Sequence, residues 1–313
     1  MRPSGNSRTA TLTLEDLFQE VQRYVGATLA PGTSGIYRTT FAHFRQFAGN
    51  APLRSLGPRD FDRYKACRLA QVAPATVNIE LRTLRAAFRM GVRWNMIRRN
   101  PFAGTSLVRI PERDLPYFTR AEFQRVLDAI PEQWLRAVVL FAAATGMRQG
   151  EILSLRWDQV DLEARMVRIG NSAGFRTKTG KRRAIPLSDT AAAVLQELSF
   201  RPDSEYVFTL RGKPLLRRWV TTKLRRKIRE LGLDRRLNFK SLRASFASWL
   251  AIDGVSIYQI SKLLGHSDVK ITQGYYAHLE PGEMHDVVGR IRFSFKGHKG
   301  RGNRAPTSPR ESD

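Results

Sequence analysis

Hydrophobic residues recur at helical spacing through most of the first hundred positions. Thr13 and Asp16 are spaced as a capping box, and the positions after them are apolar every three or four residues. Three similar stretches follow, two of them near Pro58 and Pro74, where proline favours the first turn of a helix. The residues that carry this spacing are Leu14, Leu17, Phe18, Val21, Val25, Ile36, Tyr37, Thr40, Phe41, Phe44, Phe47, Phe61, Tyr64, Val77, Leu81, Leu84 and Phe88. The pattern predicts a small all-helical domain over residues 13–100.

Prolines and an irregular pattern separate this domain from the rest of the chain. No single periodicity persists over residues 101–117, which we predict to be a linker. Beyond it, Thr119 and Glu122 form a second capping-box signature, and helical spacing continues to about Leu155. A second domain is therefore predicted to begin at residue 118.

The pattern changes to strand-like alternation between residues 160 and 187. Met166-Val167-Arg168-Ile169 alternates, and another alternating run follows a turn signal at Thr179-Gly180. These runs predict a small antiparallel sheet of two or three strands. Helical spacing returns over residues 188–289. The predicted fold class is mainly α with a small antiparallel β-sheet.

The two ends of the chain have little to bury. Residues 1–12 are polar, and residues 293–313 are rich in Gly and Arg, so both are predicted to be flexible or disordered tails. The second domain is then predicted to span residues 118–292.

The chain of 313 residues carries a large positive charge. It has 53 Lys plus Arg and 28 Asp plus Glu, which gives a formal net charge of +25. Because it is 42% hydrophobic and contains 17 Phe, it is too apolar for a disordered polycation. A folded protein of this charge favours a polyanionic partner, either nucleic acid or an anionic membrane surface.

Neither export nor membrane insertion is indicated. The single cysteine, Cys67, cannot form an intramolecular disulfide, and the N-terminus lacks the apolar stretch of a signal peptide. The most apolar run, residues 137–145, is far shorter than the roughly 20 residues that a bilayer span needs. We therefore expect a cytoplasmic protein with nucleic acid, and no membrane, as its partner.

Arg148 and Glu151 form the first candidate functional pair. They lie three residues apart, so the carboxylate can hold the guanidinium. Pairs of this kind are usually solvated and contribute little. Here the surroundings include Phe141 and Ile152, and a charge among such residues is costly to desolvate without a purpose.

Three more groups of residues could carry chemistry. The segment Arg176-Thr-Lys178-Thr-Gly-Lys181-Arg-Arg places five cations on the predicted hairpin tip, which is either a solvated turn or the source of a lysine that reaches a scissile phosphate. Lys240 and Arg243 share one face of a predicted helix. His266 follows a glycine and precedes Tyr275-Tyr276; capping, core packing and catalysis are all open for these three.

In this order the segments resemble the tyrosine recombinase family of phage integrases and Xer-like enzymes, over nearly the whole chain. The family signature is an Arg in Thr-Gly-x-Arg-x-x-Glu, a hairpin Lys, a His-x-x-Arg, a Leu-Gly-His and a nearby Tyr. The matching residues are Arg148, Lys178, Arg243, His266 and a tyrosine at 275 or 276. One position departs from the pattern, because the His of His-x-x-Arg is Lys240. The resemblance implies a DNA-binding, core-binding domain at 13–100 and a catalytic domain at 118–292.

The resemblance also implies an activity. It is site-specific DNA recombination, with strands cleaved and rejoined through a 3′-phosphotyrosyl intermediate and without metal, nucleotide or other cofactor. Arg148 and Arg243 would stabilise charge on the phosphate, and His266 would donate a hydrogen bond or accept the tyrosine proton. Lys178 would protonate the departing 5′ oxygen. We assign Lys240 an electrostatic contact with phosphate, because a lysine does not readily exchange protons near pH 7.

Two adjacent tyrosines compete for the role of nucleophile. Neighbours on a helix point about 100° apart, so only one can face the phosphate. The family tyrosine is usually followed by a small residue and then His, and Ala277-His278 stands in that position after Tyr276. We therefore predict Tyr276 as the nucleophile and Tyr275 as a packing residue.

Double-stranded DNA is the predicted partner, and two helical segments are strongly basic. Their cations are Arg82, Arg85, Arg89, Arg93, Arg98 and Arg99 in the first domain, and Arg217, Arg218, Lys223, Arg225, Arg226, Lys227 and Arg229 in the second. In the second segment, Trp219, Leu224, Ile228 and Leu231 are predicted to form the core face. The resemblance implies a tetramer on DNA, with residues 283–290 as a candidate docking helix. The alternatives are a type IB topoisomerase and a catalytically retired DNA-binding protein.

Overall fold

The computed structural model describes residues 11–110, 115–170, 182–199, 204–266 and 268–276. The chain forms two compact units, residues 1–113 and residues 114–313. The assignment of a core-binding domain, a linker and a catalytic domain to 13–100, 101–117 and 118–292 stays a prediction.

The described part of the first unit is helical. Its α-helices are α1 (Leu14–Thr28), α2 (Pro31–Ala48), α3 (Pro58–Leu69) and α4 (Pro74–Arg93). The capping box forms as predicted, because the Thr13 hydroxyl accepts from the Asp16 backbone and the Asp16 carboxylate accepts from Thr13 N at 2.7 Å. Pro58 and Pro74 both open their helices. Because α4 ends at Arg93, Arg98 and Arg99 lie beyond the basic helix to which the sequence assigned them.

The core of this unit is aromatic and encloses one charged network. Phe102 packs on Phe61 and Phe88 with ring centroids 4.3 and 4.4 Å apart. The buried Glu80 carboxylate accepts from Tyr64, and it accepts two hydrogen bonds from Arg68 at 2.8 and 2.9 Å. A buried carboxylate is stable there only because these donors replace its water.

The described part of the second unit is also mainly helical. Its α-helices are α5 (Arg120–Asp128), α6 (Gln133–Thr145), α7 (Gln149–Leu153), α8 (Asp189–Ser199), α9 (Arg217–Glu230), α10 (Phe239–Ile252), α11 (Ile257–Leu264) and α12 (Val269–Tyr276). Its strands are β1 (Val160–Asp161), β2 (Met166–Ile169), β3 (Arg183–Pro186), β4 (Thr209–Leu210) and β5 (Lys213–Pro214). The predicted fold class, mainly α with a small antiparallel sheet, is confirmed.

The three-stranded sheet and helix α6 agree with the hydrophobic pattern of the sequence. Strands β1, β2 and β3 pair antiparallel in that order, with Val167 opposite Ile185. Helix α6 packs against α8 and α10, and its buried face includes Leu135, Val138 and Phe141. This burial explains the apolar run that the sequence shows there. The predicted turn at Thr179-Gly180 lies outside the described residues.

Three details differ from the predictions. The helical stretch toward Leu155 is interrupted, because Gly146 ends α6 in the left-handed conformation with φ of 62°. Strands β4 and β5 form a short hairpin inside a region predicted to be helical. Trp219 is 42% exposed, because the buried face of α9 is formed by Val220, Leu224 and Ile228. Trp219 stands five residues, or about 140°, from Leu224 on the helix, which turns it away from the core.

Candidate active site

Arg148 lies at the break between α6 and α7. Gly146 permits the reversal of the chain, and a Cβ there would lie 2.5 Å from the Phe246 ring. Arg148 is the N-cap of α7, and the Glu151 carboxylate accepts from its backbone N at 2.9 Å and from Nη1 at 3.0 Å. The predicted pairing of Arg148 with Glu151 is confirmed, as a capping contact at the start of a helix.

Glu151 is shared with a second arginine that the sequence analysis did not single out. Arg183, the first residue of β3, donates from Nη1 and Nη2 to the two Glu151 oxygens at 3.0 and 2.7 Å. The Glu151 side chain is only 3% exposed. Burial raises the pKa of Glu151, but hydrogen bonds and charge from Arg183 and Arg148 outweigh it and hold the pKa below its usual value. The carboxylate is therefore ionised at neutral pH.

Arg243 points from α10 toward the ends of two other helices. Its Nη1 donates to the Gly146 carbonyl and its Nη2 to the Leu264 carbonyl, both at 2.7 Å. Burial, followed by the charge of Arg148, lowers the pKa of Arg243 to about 9. Arg243 still carries its charge at pH 7, and it binds the carbonyls that α6 and α11 leave unpaired at their C-terminal ends.

His266 is positioned by the end of α11. Gly265 caps that helix in the left-handed conformation, with φ of 66°. The His266 Nδ1 lies 2.7 Å from the hydroxyl of the buried Thr272. Burial, and then the charges of Arg243 and Arg148, lower the pKa of His266 to about 4, so the imidazole is neutral at pH 7. A neutral imidazole can accept a proton or donate one hydrogen bond.

Tyr276 is the last residue of α12 and lies near Arg243. It is 4% exposed and belongs to the apolar cluster of Ala247, Ala251 and Leu264. It is also close enough to Arg243 to interact with it electrostatically. The structure therefore brings Arg148, Arg243, His266 and Tyr276 to one region of the second unit.

Of the two lysines of the predicted site, only Lys240 lies among the described residues. Lys240 lies in the first turn of α10, three residues before Arg243, and its side chain is exposed. An exposed ammonium at that place agrees with a contact to phosphate. Lys178 lies outside the described residues.

Comparison with known protein families identifies the family of this chain. Residues 116–283, more than half of the chain, match the phage integrase family. The chain belongs to the phage integrase family of tyrosine recombinases.

A relative in the curated proteins supports this assignment, and two solved integrase structures share the fold over most of the chain. The tyrosine recombinase XerC of Halalkalibacterium halodurans is 30% identical over 284 residues, which cover 82% of this chain and 90% of that one. The Tn1549 transposon integrase in complex with a circular intermediate DNA has a TM-score of 0.77 at 19% identity, over 90% of this chain and all of that one. The λ integrase tetramer bound to a Holliday junction gives 0.71 at 21% identity, over 82% and 78%. The resemblance read from the motifs is thereby confirmed.

Two findings concern metal binding and membrane insertion of this integrase family member. Among the described residues, no cluster of three or more His, Cys, Asp or Glu side chains could hold a metal ion. No helix in the described part of the chain has the length and apolar character to cross a membrane.

Two residues beside the site, Arg183 and Thr272, are not identified by the sequence analysis, although the sequence contains a signal for Arg183. Arg183 was grouped with the cations of the hairpin tip, but it lies in β3 with its side chain turned inward. Arg183, Ile185 and Leu187 alternate, so the buried face of Ile185 is also the face of Arg183. Thr272 had no such signal, because its bond to His266 depends on how α11 and α12 meet.

Proposed function

We propose that this chain is a site-specific DNA recombinase in which Tyr276 forms a covalent bond with the 3′ phosphate of a cleaved strand. The observation that carries the proposal is the juxtaposition of Tyr276 with Arg243, in a region that also holds Arg148 and a neutral His266. A hydroxyl near one guanidinium, with a second guanidinium close to the first, suits nucleophilic attack on a phosphodiester, because the guanidiniums stabilise the charge that grows on its non-bridging oxygens.

The proposed step is a transesterification. The Tyr276 oxygen attacks the scissile phosphorus, a new P–O bond forms to the tyrosine, and the bond from phosphorus to the 5′ oxygen breaks. The tyrosine proton passes to His266 or to water, and Lys178 supplies a proton to the departing 5′ oxygen. The phosphotyrosyl ester keeps the energy of the broken diester, so the reverse attack by a 5′ hydroxyl rejoins a strand without nucleotide hydrolysis.

The arginines and Lys240 take the place of a metal ion in this scheme. Arg148 and Arg243 each offer paired donors, and Lys240 adds an exposed charge three residues from Arg243. Their combined charge supplies electrostatic stabilisation of the kind that divalent cations provide in other phosphoryl-transfer enzymes. We therefore propose cleavage without cofactor.

Double-stranded DNA is the proposed substrate, and exposed cations on α9 support it. Arg217, Arg218 and Arg225 are exposed on that helix, whereas Arg226 and Lys227 pair with Glu230. Exposed arginines of this kind bind the phosphate backbone and make binding depend steeply on salt. The λ integrase forms a tetramer on a Holliday junction. We propose the same number of subunits for this chain when it acts on two duplexes in the cytoplasm.

A nicked suicide substrate tests the covalent step and the identity of the nucleophile together. The purified protein is incubated with duplex DNA carrying a candidate site from its own genetic neighbourhood, in EDTA and without nucleotide, and adducts are resolved under denaturing conditions. We expect an adduct with the wild-type chain and with Tyr275→Phe, and none with Tyr276→Phe, which should still bind DNA. Peptide mapping identifies the modified tyrosine.

The outcomes separate the alternatives. An adduct mapped to Tyr275 would refute the choice of tyrosine but leave the reaction class intact. DNA binding with no adduct in EDTA or in Mg²⁺ would favour a retired DNA-binding protein. Relaxation of a supercoiled plasmid without the site would favour topoisomerase activity.

A further inference from the structure

Arg183, the first residue of β3, is packed into the second unit beside the candidate site. Its side chain is 14% exposed, and both of its terminal nitrogens bind the two oxygens of Glu151. The planar fork of a guanidinium matches a carboxylate in this two-point arrangement, and lysine cannot reproduce it. Strand β3 is thereby joined to the first turn of α7.

The carboxylate between them also holds Arg148. Glu151 accepts two bonds from Arg183 and two from Arg148, one of them from the Arg148 backbone. With its side chain 3% exposed, Glu151 has little room to rotate. The orientation of the Arg148 guanidinium therefore depends on how Glu151 is fixed, and Arg183 fixes it from the other side.

Arg183 makes a second contact, with the segment that carries His266. A Cβ on Gly265 would lie 2.6 Å from the Arg183 Cδ and 2.9 Å from its Nε. The Arg183 side chain is thus packed directly against the backbone of the residue before His266. The Leu264 carbonyl, one residue earlier, accepts from Arg243. One side chain therefore supports the surroundings of Arg148, His266 and Arg243.

We propose that Arg183 is a positioning residue for strand cleavage: through Glu151 it orients Arg148 toward the scissile phosphate, and through Gly265 it supports His266. The inference rests on the proposed function, because it assigns Arg183 a part in that reaction. The charge that Arg183 adds is consistent with this role, since it contributes to the lowered pKa values of His266 and Arg243. Arg183 itself needs no contact with DNA.

The test compares cleavage of two substrates by Arg183→Met. One substrate has an ordinary scissile phosphodiester, and the other has a methylphosphonate there, in which a methyl group replaces one charged oxygen. A substrate with less charge needs less from a well-placed Arg148. We expect Arg183→Met to slow single-turnover cleavage of the phosphodiester by up to about 100-fold, the scale of a small misplacement. The deficit should be clearly smaller on the methylphosphonate, as it should be for Arg148→Ala.

Arg168→Met is the matched control. Arg168 lies in β2 of the same sheet and pairs with Asp161 at 2.9 Å, but its side chain is 66% exposed. The Arg168→Met variant should cleave both substrates at the wild-type rate. Arg183→Lys keeps the charge without the two-point contact, so it should show the same substrate-dependent deficit if Arg183→Met does not fold.

Three results would overturn the proposal. The first is wild-type cleavage by Arg183→Met. The second is an equal deficit on both substrates, which indicates only a smaller folded fraction. The third is full additivity when Arg183→Met is combined with Arg148→Ala, because a residue that acts through Arg148 adds little once Arg148 is gone. Failure of the proposed function is distinct, since the wild-type chain would then form no adduct at all.

Discussion

Replacement of Arg148 by alanine should separate catalysis from folding. Arg148 gives Glu151 one side-chain hydrogen bond, and its side chain is 32% exposed. After the change, Glu151 keeps both bonds from Arg183 and the backbone bond from residue 148. A bond to a charged group contributes about 1.5–3 kcal/mol when it is well buried, and less when solvent reaches it. Removal of Arg148 also relieves its repulsion of Arg243. We therefore expect the free energy of unfolding to fall by only about 1 kcal/mol.

The cost to cleavage should be much larger. Loss of one preorganised donor to a developing oxyanion typically costs about 10²–10³-fold in rate, or roughly 2.7–4 kcal/mol. DNA binding should change far less, because Arg148 is only one of the many cations that would contact the phosphates. Loss of one phosphate contact lowers the slope of log affinity against log salt by about 1.

Three measurements on the same protein preparation decide the matter. Thermal unfolding gives the stability, fluorescence anisotropy at several salt concentrations gives binding, and trapping of the covalent adduct gives the rate of cleavage. Arg168→Ala, an exposed arginine of the neighbouring sheet, serves as the control and should match wild type in all three. Equal losses in binding and cleavage by Arg148→Ala would show that Arg148 is an ordinary DNA contact, and the assignment of the site would fail.

Two further predictions concern His266 and the glycine before it. Because the folded pKa of His266, about 4, is lower than its ordinary value of 6.5, the unfolded chain takes up the proton first on acidification, so this residue destabilises the fold progressively between those pH values. Thermal unfolding of wild type and His266→Gln should diverge over that interval, and parallel curves would contradict the lowered pKa. Gly265→Ala should lose about 1–2 kcal/mol from left-handed strain and also lose cleavage through its clash with Arg183. Gly254→Ala, with φ of 81° and nothing within 4 Å of the added Cβ, should lose similar stability but keep cleavage; equal cleavage by the two variants would argue against the clash.

Local signals in the sequence were sufficient for most of the helices and for the sheet. The capping box at Thr119 and Glu122 forms with bonds of 2.9 Å, because both partners lie within one turn of chain. The alternation in β2 and β3 was readable for the same reason, since a strand exposes every second residue. The prediction that Trp219 belongs to the core face of α9 is wrong, because the sequence of a basic helix allows several sets of apolar positions to form that face. Only the tertiary structure selects the set that contains Val220.

The candidate site was predictable only as a set of residue types. Arg243 reaches a carbonyl 97 residues away in sequence, and Arg183 reaches Glu151 across 32 residues. No local periodicity encodes such contacts. The order of motifs identified which side chains belong together, whereas their mutual support, above all the role of Glu151 between two arginines, required the folded chain.

The electrostatics of the site follow from this arrangement. Among the described residues that form it, Arg148, Arg183 and Arg243 face one buried carboxylate, Glu151, so the region is left with net positive charge. Burial of that charge is unfavourable in the free protein, as the lowered pKa values of Arg243 and His266 show. A phosphodiester brings the missing negative charge. The negative charge on its non-bridging oxygens is greater still in the transition state. Because Gly146, Leu264 and Glu151 already hold the guanidiniums in place, little reorganisation is needed when that charge develops. The same contacts that make the free site electrostatically costly therefore prepare it for phosphoryl transfer.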